Sequence, residues 1–138
     1  MRPTLFKHYS EAAALFARWP NFRPFEIACH AVSTKAGDRG SLLVVPEALD
    51  RLQALRTAWG KPLTVVSGYR TPEHNMRVST TGSDGPHTKG VAFDIRAHSQ
   101  TIMPLAALAM RIGFTGFGFA PSRGFLHIDT LQPRCWTY

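Results

Sequence analysis

An imidazole and a carboxylate with six residues between them, in Pro86-His87-Thr88-Lys89-Gly90-Val91-Ala92-Phe93-Asp94, restrict the folds open to this chain more than any other feature. Gly85, Pro86 and Gly90 punctuate the first half, which makes His87 a loop residue. Residues 91–95 then alternate as a strand, with Val91, Phe93 and Ile95 on one face and Ala92 and Asp94 on the other, so Asp94 is expected to point away from the core. A second run, Phe125-Leu126-His127-Ile128-Asp129, has the same period of two and puts Phe125, His127 and Asp129 on a single face. If the two strands are neighbours, Asp94 and His127 meet in one cavity and the His87 loop folds over it. Two imidazoles and a carboxylate are a set that zinc accepts, and three protein ligands leave a fourth position for water, as in catalytic sites. An isolated histidine is more often a solvated or hydrogen-bonded side chain, so the spacing alone leaves both readings open.

The rest of the chain predicts a frame for these strands. Pro46 at a first helical position, Leu49, Leu52, Leu55 and Trp59 on one face, and Gly60 just past the end mark a core helix. Residues 103–112 form a second amphipathic helix, with Leu105, Leu108, Ala109 and Ile112 inward and Gly113 closing it. Residues 63–67 and 114–120 read as strands, the second carrying glycines that permit close approach. Ser10 is expected to cap a short helix that Pro20 ends, and Thr71 another with Pro72 first. Residues 33–40 read as a loop, and 76–85 as a mobile loop bordering a cleft. No repeat or linker interrupts residues 1–138, so one α+β domain, a small antiparallel sheet with flanking helices, is the expected architecture.

The segment Ser67-Gly68-Tyr69-Arg70-Thr71-Pro72-Glu73-His74-Asn75, followed by the His87–Asp94 stretch and then Phe125-Leu126-His127-Ile128-Asp129, resembles the zinc D-alanyl-D-alanine carboxypeptidase and murein endopeptidase family, which has the hedgehog/DD-peptidase fold. The resemblance runs from about residue 21 to 136 and is nearest to the phage and murein endopeptidase branch. It implies a metallopeptidase that cuts stem peptides or crosslinks of bacterial peptidoglycan, with zinc on His87, Asp94 and His127 and a zinc-bound water as nucleophile. Arg70 is implied as an electrostatic catalytic group that pairs with a substrate carboxylate or a developing oxyanion, with Ser67 and Tyr69 beside it as substrate-binding residues. A structural Arg70, packed on Tyr69 or paired with Glu73, is the plainer alternative. The sequence departs from the family at two places. Gly124 stands where many members carry an acidic residue three positions before the last histidine, and Gly85 stands where a serine is usual. Asp129 is then the candidate general base, or else a carboxylate that orients an imidazole ligand; Asp84 and Glu73 are outside candidates. The missing acid also supports an inactive zinc-binding module that holds cell wall or a protein partner.

Composition sets limits on these readings. With 44% apolar and 18% charged residues the chain builds a packed core. No apolar run approaches the ~20 residues of a membrane helix, and the N-terminal stretch is a poor secretory signal. Synthesis in the cytoplasm and action on the cell wall, as for a phage-encoded endolysin, are the expectations, with a monomer as the assembly. Cys29 and Cys135 allow at most one bridge. The net charge of +7 suits an anionic wall surface, or solubility alone; no recognised nucleic-acid-binding signature is present, which disfavours nucleic acid as partner.

Overall fold

The computed structural model describes residues 1–31 and 39–138. Most of the loop expected at 33–40 lies outside the described residues. Strand β1 (Thr4–Phe6) precedes two 3-10 stretches, Tyr9–Ala12 and Leu15–Arg18, where a single Ser10-capped helix was expected. The cap is His8: its Nδ1 accepts from the Ser10 amide at 3.3 Å, and Glu11 accepts from the His8 amide at 3.0 Å. Pieces this short do not sustain an α-helix by themselves. Burial of Ala12, Phe16 and Trp19 fixes them instead, with the Trp19 indole donating to Asp50 at 2.8 Å.

Helix α1 (Pro24–Ile27) leads to β2 (Leu42–Val44), which pairs antiparallel with β1 as a two-stranded ribbon. Helix α2 (Pro46–Trp59) has the expected bounds and ends on Gly60 in the left-handed conformation. Strand β3 (Val65–Ser67), helix α3 (Pro72–Val78), strand β4 (Ala92–Arg96), helix α4 (Ile102–Ile112) and strands β5 (Gly116–Ala120), β6 (Phe125–Asp129) and β7 (Arg134–Thr137) follow. Thr71 caps α3 as expected, its hydroxyl accepting from the His74 amide at 3.1 Å.

The main sheet has the order β3-β4-β6-β5-β7. It is antiparallel, as the sequence suggested, except at one edge, where β7 pairs parallel with β5. Its two faces differ as period-two alternation requires. Phe93, Ile95, Phe117, Leu126 and Ile128 join Leu49, Leu52 and Leu55 of α2 and Leu105 and Ala109 of α4 in one hydrophobic cluster. Burying such side chains is worth about 1.5–3 kcal/mol each, enough to fix which face turns inward. The opposite face keeps Asp94, His127, Gly118 and Trp136 in one cross-strand row, and Ala92, Asp129, Gly116 and Arg134 in the next. Among the described residues no helix is long and apolar enough to cross a membrane.

Candidate active site

Strands β4 and β6 place Asp94 directly opposite His127, so the sheet register itself brings two of the three proposed ligands together. The third arrives on a 3-10 turn, Pro86–Lys89, that packs back on the segment after β3: the Arg70 amide donates to the His87 carbonyl at 3.1 Å. His87, Asp94 and His127 are all buried, and one donor atom from each lies within 4.8 Å of the others. His87 Nε2 is 3.3 Å and His127 Nδ1 2.9 Å from Asp94 Oδ1.

The outer nitrogens decide what these inner atoms offer. His87 Nδ1 is 2.7 Å from the Gly68 carbonyl, which can only accept, so the ring donates there and leaves the Nε2 lone pair facing Asp94. His127 Nε2 is 2.6 Å from Asp129, whose carboxylate also receives both guanidinium nitrogens of Arg134, at 2.9 and 2.7 Å, and the Leu131 amide at 3.0 Å. An ionised carboxylate only accepts, so His127 donates from Nε2 to Asp129, and its Nδ1 offers Asp94 a proton when the ring is charged and a lone pair when it is neutral. With both rings neutral, two imidazole lone pairs and a carboxylate oxygen converge among buried groups, an arrangement that repels unless a proton or a cation lies between them. The donor set fits zinc, which takes neutral imidazole nitrogens and carboxylate oxygens.

Burial disfavours the charge on Asp94, but the His127 and His87 rings beside it outweigh that and hold the carboxyl well below the usual range. Asp129 behaves likewise: burial raises it, and His127, Arg134 and the Leu131 amide bring it down. For His87 burial prevails and the pKa falls. For His127 burial also lowers it, yet Asp129 and Asp94 together carry it above the ordinary value.

A cleft of about 630 Å³ opens over this cluster, within the size range of small-molecule sites. Arg70 lines it, 3.5 Å from Asp94 Oδ2, with Nε donating to Ser67 Oγ at 3.1 Å and a terminal nitrogen to Asn75 at 3.1 Å. Glu73 neither lines the cleft nor pairs with this guanidinium, and Ser67 supports Arg70 from beneath. Tyr69, expected at the substrate, is buried in the hydrophobic cluster and outside the cleft lining, and its amide donates to the Ile27 carbonyl at 2.7 Å. Asp129 is fully buried behind His127 and outside the cleft lining, and Asp84 stands at the rim, paired with Lys89 at 3.0 Å. Of the 76–85 stretch expected as a loop, the first three residues continue α3. The remainder borders the cleft, tied down by the buried Asn75 amide, which donates to Thr81 and to the Gly82 carbonyl.

Sequence reasoning missed β7 and what it carries. Trp136 crosses Gly118 to lie 5.0 Å from the His127 ring, and Arg134 crosses Gly116 to reach Asp129. A Cβ on Gly118 would sit 2.7 Å from the indole, and one on Gly116 2.2 Å from the Asp129 carboxylate. The glycines expected to permit close approach therefore do so for side chains reaching over from the edge strand. The available signal was Arg134, Trp136 and Tyr138 at alternate positions.

The Peptidase M15 family matches residues 20–129, a span that holds Arg70, His87, Asp94, His127 and Asp129 and stops short of β7. The chain is 36% identical over 99 residues, 66% of its own length, to the peptidoglycan L,D-endopeptidase MepK of Escherichia coli (strain K12), and the match takes in 53% of that protein. The same figures hold for the proteins of that name from Escherichia coli O157:H7 and Shigella flexneri. The chain thus spans about half the length of the curated relatives it matches.

Proposed function

The chain belongs to the peptidase M15 family, and from that premise we propose that it is a zinc peptidase hydrolysing bonds in the peptides of bacterial peptidoglycan, with an endopeptidase cut of a crosslink as the specific reaction. The observation that carries the reading is the pair of buried imidazoles whose outer nitrogens are both taken by acceptors while their inner nitrogens face Asp94. Likeness to L,D-endopeptidases supports the endopeptidase form over trimming of a terminal residue.

His87 Nε2, His127 Nδ1 and Asp94 Oδ1 would hold the metal. When bound, zinc supplies Lewis acidity, polarising a carbonyl and lowering the pKa of water to about 7. Arg70, held by Ser67 and Asn75, presents a planar fork at the cleft floor and serves either a substrate carboxylate or the oxyanion that develops on the scissile carbonyl. Asp129 acts as a positioning residue rather than as the base. It fixes the His127 tautomer and raises the basicity of the ligand nitrogen, and its own oxygens are occupied by Arg134 and the Leu131 amide. Asp84 is, among the described residues, the cleft-lining carboxylate side chain outside the ligand set, and Asp84→Asn tests whether it takes a proton during turnover.

A second reading, a zinc-holding module that binds wall without cutting it, is favoured by Gly124. Its backbone has φ of 80°, a left-handed conformation that disfavours the acidic side chain usual there. Mass spectrometry of purified muropeptides after incubation with metal-loaded protein, with and without chelator, separates the possibilities. Chelator-sensitive conversion of crosslinked dimers to monomers is the expected result. Loss of a single terminal residue would instead make the protein a carboxypeptidase, and intact dimers that bind the protein would make it the inactive module.

A further inference from the structure

Among the described residues three guanidinium groups line the cleft, and two are committed to protein acceptors: Arg70 to Ser67, Asn75 and Asp94, and Arg134 to Asp129. Arg123 is different. Among the described residues none accepts a hydrogen bond from it, and its contacts are aromatic faces, with Cζ 5.1 Å from the Phe125 centroid and 5.3 Å from that of Tyr138. Those two rings are 5.1 Å apart and tilted by 59°, so they brace the guanidinium from two directions. Contact through ring faces consumes none of the five N–H donors, and a braced side chain loses less rotamer freedom when a ligand arrives.

The sheet also fixes where this group stands. Arg123 ends the 3-10 turn Pro121–Arg123 between β5 and β6, and Phe125 shares the His127 face of β6, two residues before it. That is roughly 7 Å along the strand from the ligand. Arg70 lies in a different direction, across β4 beside Asp94. We propose that Arg123 is a specificity-determining residue that receives a carboxylate of the substrate peptide one to two residues from the scissile bond, while Arg70 serves the bond itself. The proposal rests on the peptidase reading and adds to it the chemical class of group selected. A carboxylate is the ligand because a free guanidinium fork matches its two oxygens, and a carboxamide of the same shape does not.

The test compares a synthetic crosslinked muropeptide with the same peptide carrying a carboxamide in place of the carboxylate beside the scissile bond. Both kcat/KM and the calorimetric Kd are measured for the metal-loaded wild type, Arg123→Gln and Arg123→Lys. Arg123 is exposed, so neither substitution removes a core side chain. The wild type is expected to prefer the carboxylate by about tenfold, chiefly in KM and Kd. Arg123→Gln should bring the ratio close to one, and Arg123→Lys should keep part of it. A preference that persists in Arg123→Gln, or a wild type indifferent to the two peptides, overturns the assignment and leaves the peptidase reading standing. A wild type that neither cuts nor binds either peptide overturns both.

Discussion

Asp129→Asn separates the two roles a carboxylate beside His127 can play. In the native arrangement both oxygens are used: one receives His127 Nε2 and an Arg134 nitrogen, the other Arg134 and the Leu131 amide. Asparagine keeps one acceptor oxygen and puts a donor in the other place, so Arg134 faces an N–H in either orientation, together with His127 in one and the Leu131 amide in the other. Leaving one such buried donor unmet costs about 1–3 kcal/mol. If the misfit falls on His127, the proton moves to Nδ1, the atom that must offer its lone pair to the metal. The expected result is a 10–100-fold weaker zinc affinity, the usual range for removing a hydrogen-bonded partner of a ligand imidazole. This equals about 1.4–2.7 kcal/mol, consistent with the loss of one such contact. Competition titration against a chromophoric chelator gives the affinity, and turnover per bound zinc is measured alongside. Unchanged affinity with a ~100-fold fall in turnover per zinc would refute the positioning role and make Asp129 the general base.

His87→Ala and His127→Ala are each expected to abolish stoichiometric zinc by elemental analysis, and full occupancy in either would remove that residue from the ligand set. Arg70→Lys should keep fold and metal but raise the barrier by about 2–4 kcal/mol, since a point charge does not reproduce the planar fork; unchanged turnover would make Arg70 structural. Gly118→Val should displace Trp136 from the His127 ring and destabilise the fold by about 1–3 kcal/mol, read by tryptophan fluorescence and urea unfolding. Zinc affinity should fall from pH 8 to pH 6. The His127 pKa is raised above its ordinary ~6.5, so at neutral pH a proton competes for the ring and must leave on binding. Calorimetry in buffers of different ionisation enthalpy counts that proton, and a count that does not rise as the pH falls from 8 to 6 would contradict the raised His127 pKa.

Much of the frame was legible because single periodicities dictate it. Helix α2 follows from Pro46, the leucines at 49, 52 and 55 and Gly60, and its bounds match. The alternation of residues 91–95 and 125–129 foretold which side chains share a face, and the register that sets Asp94 against His127 makes the two strands direct neighbours. Alternation could not foretell how far a side chain leans. A two-residue rise separates the His127 and Asp129 backbones by roughly 7 Å, yet the carboxylate folds back to 2.6 Å from Nε2. That lean depends on Arg134, which no local pattern links to Asp129.

Strand β7 shows where local reading ends. Arg-Cys-Trp-Thr is short, begins with a charge and lies at a sheet edge, so neither length nor hydrophobicity marks it. Its place is settled by its partner: β5 offers Gly116 and Gly118 on the site face, and Arg134 and Trp136 of β7 reach into the space above them. Two glycines on one strand and two large residues at alternate positions on another are a complementary pair, and neither half carries a signal without the other. The same pairing helps to close the polar face around His127. Trp136 lies against the ring, Arg134 neutralises the buried Asp129, and the His87, Asp94 and His127 cluster faces the cleft, where Arg70 and Arg123 stand.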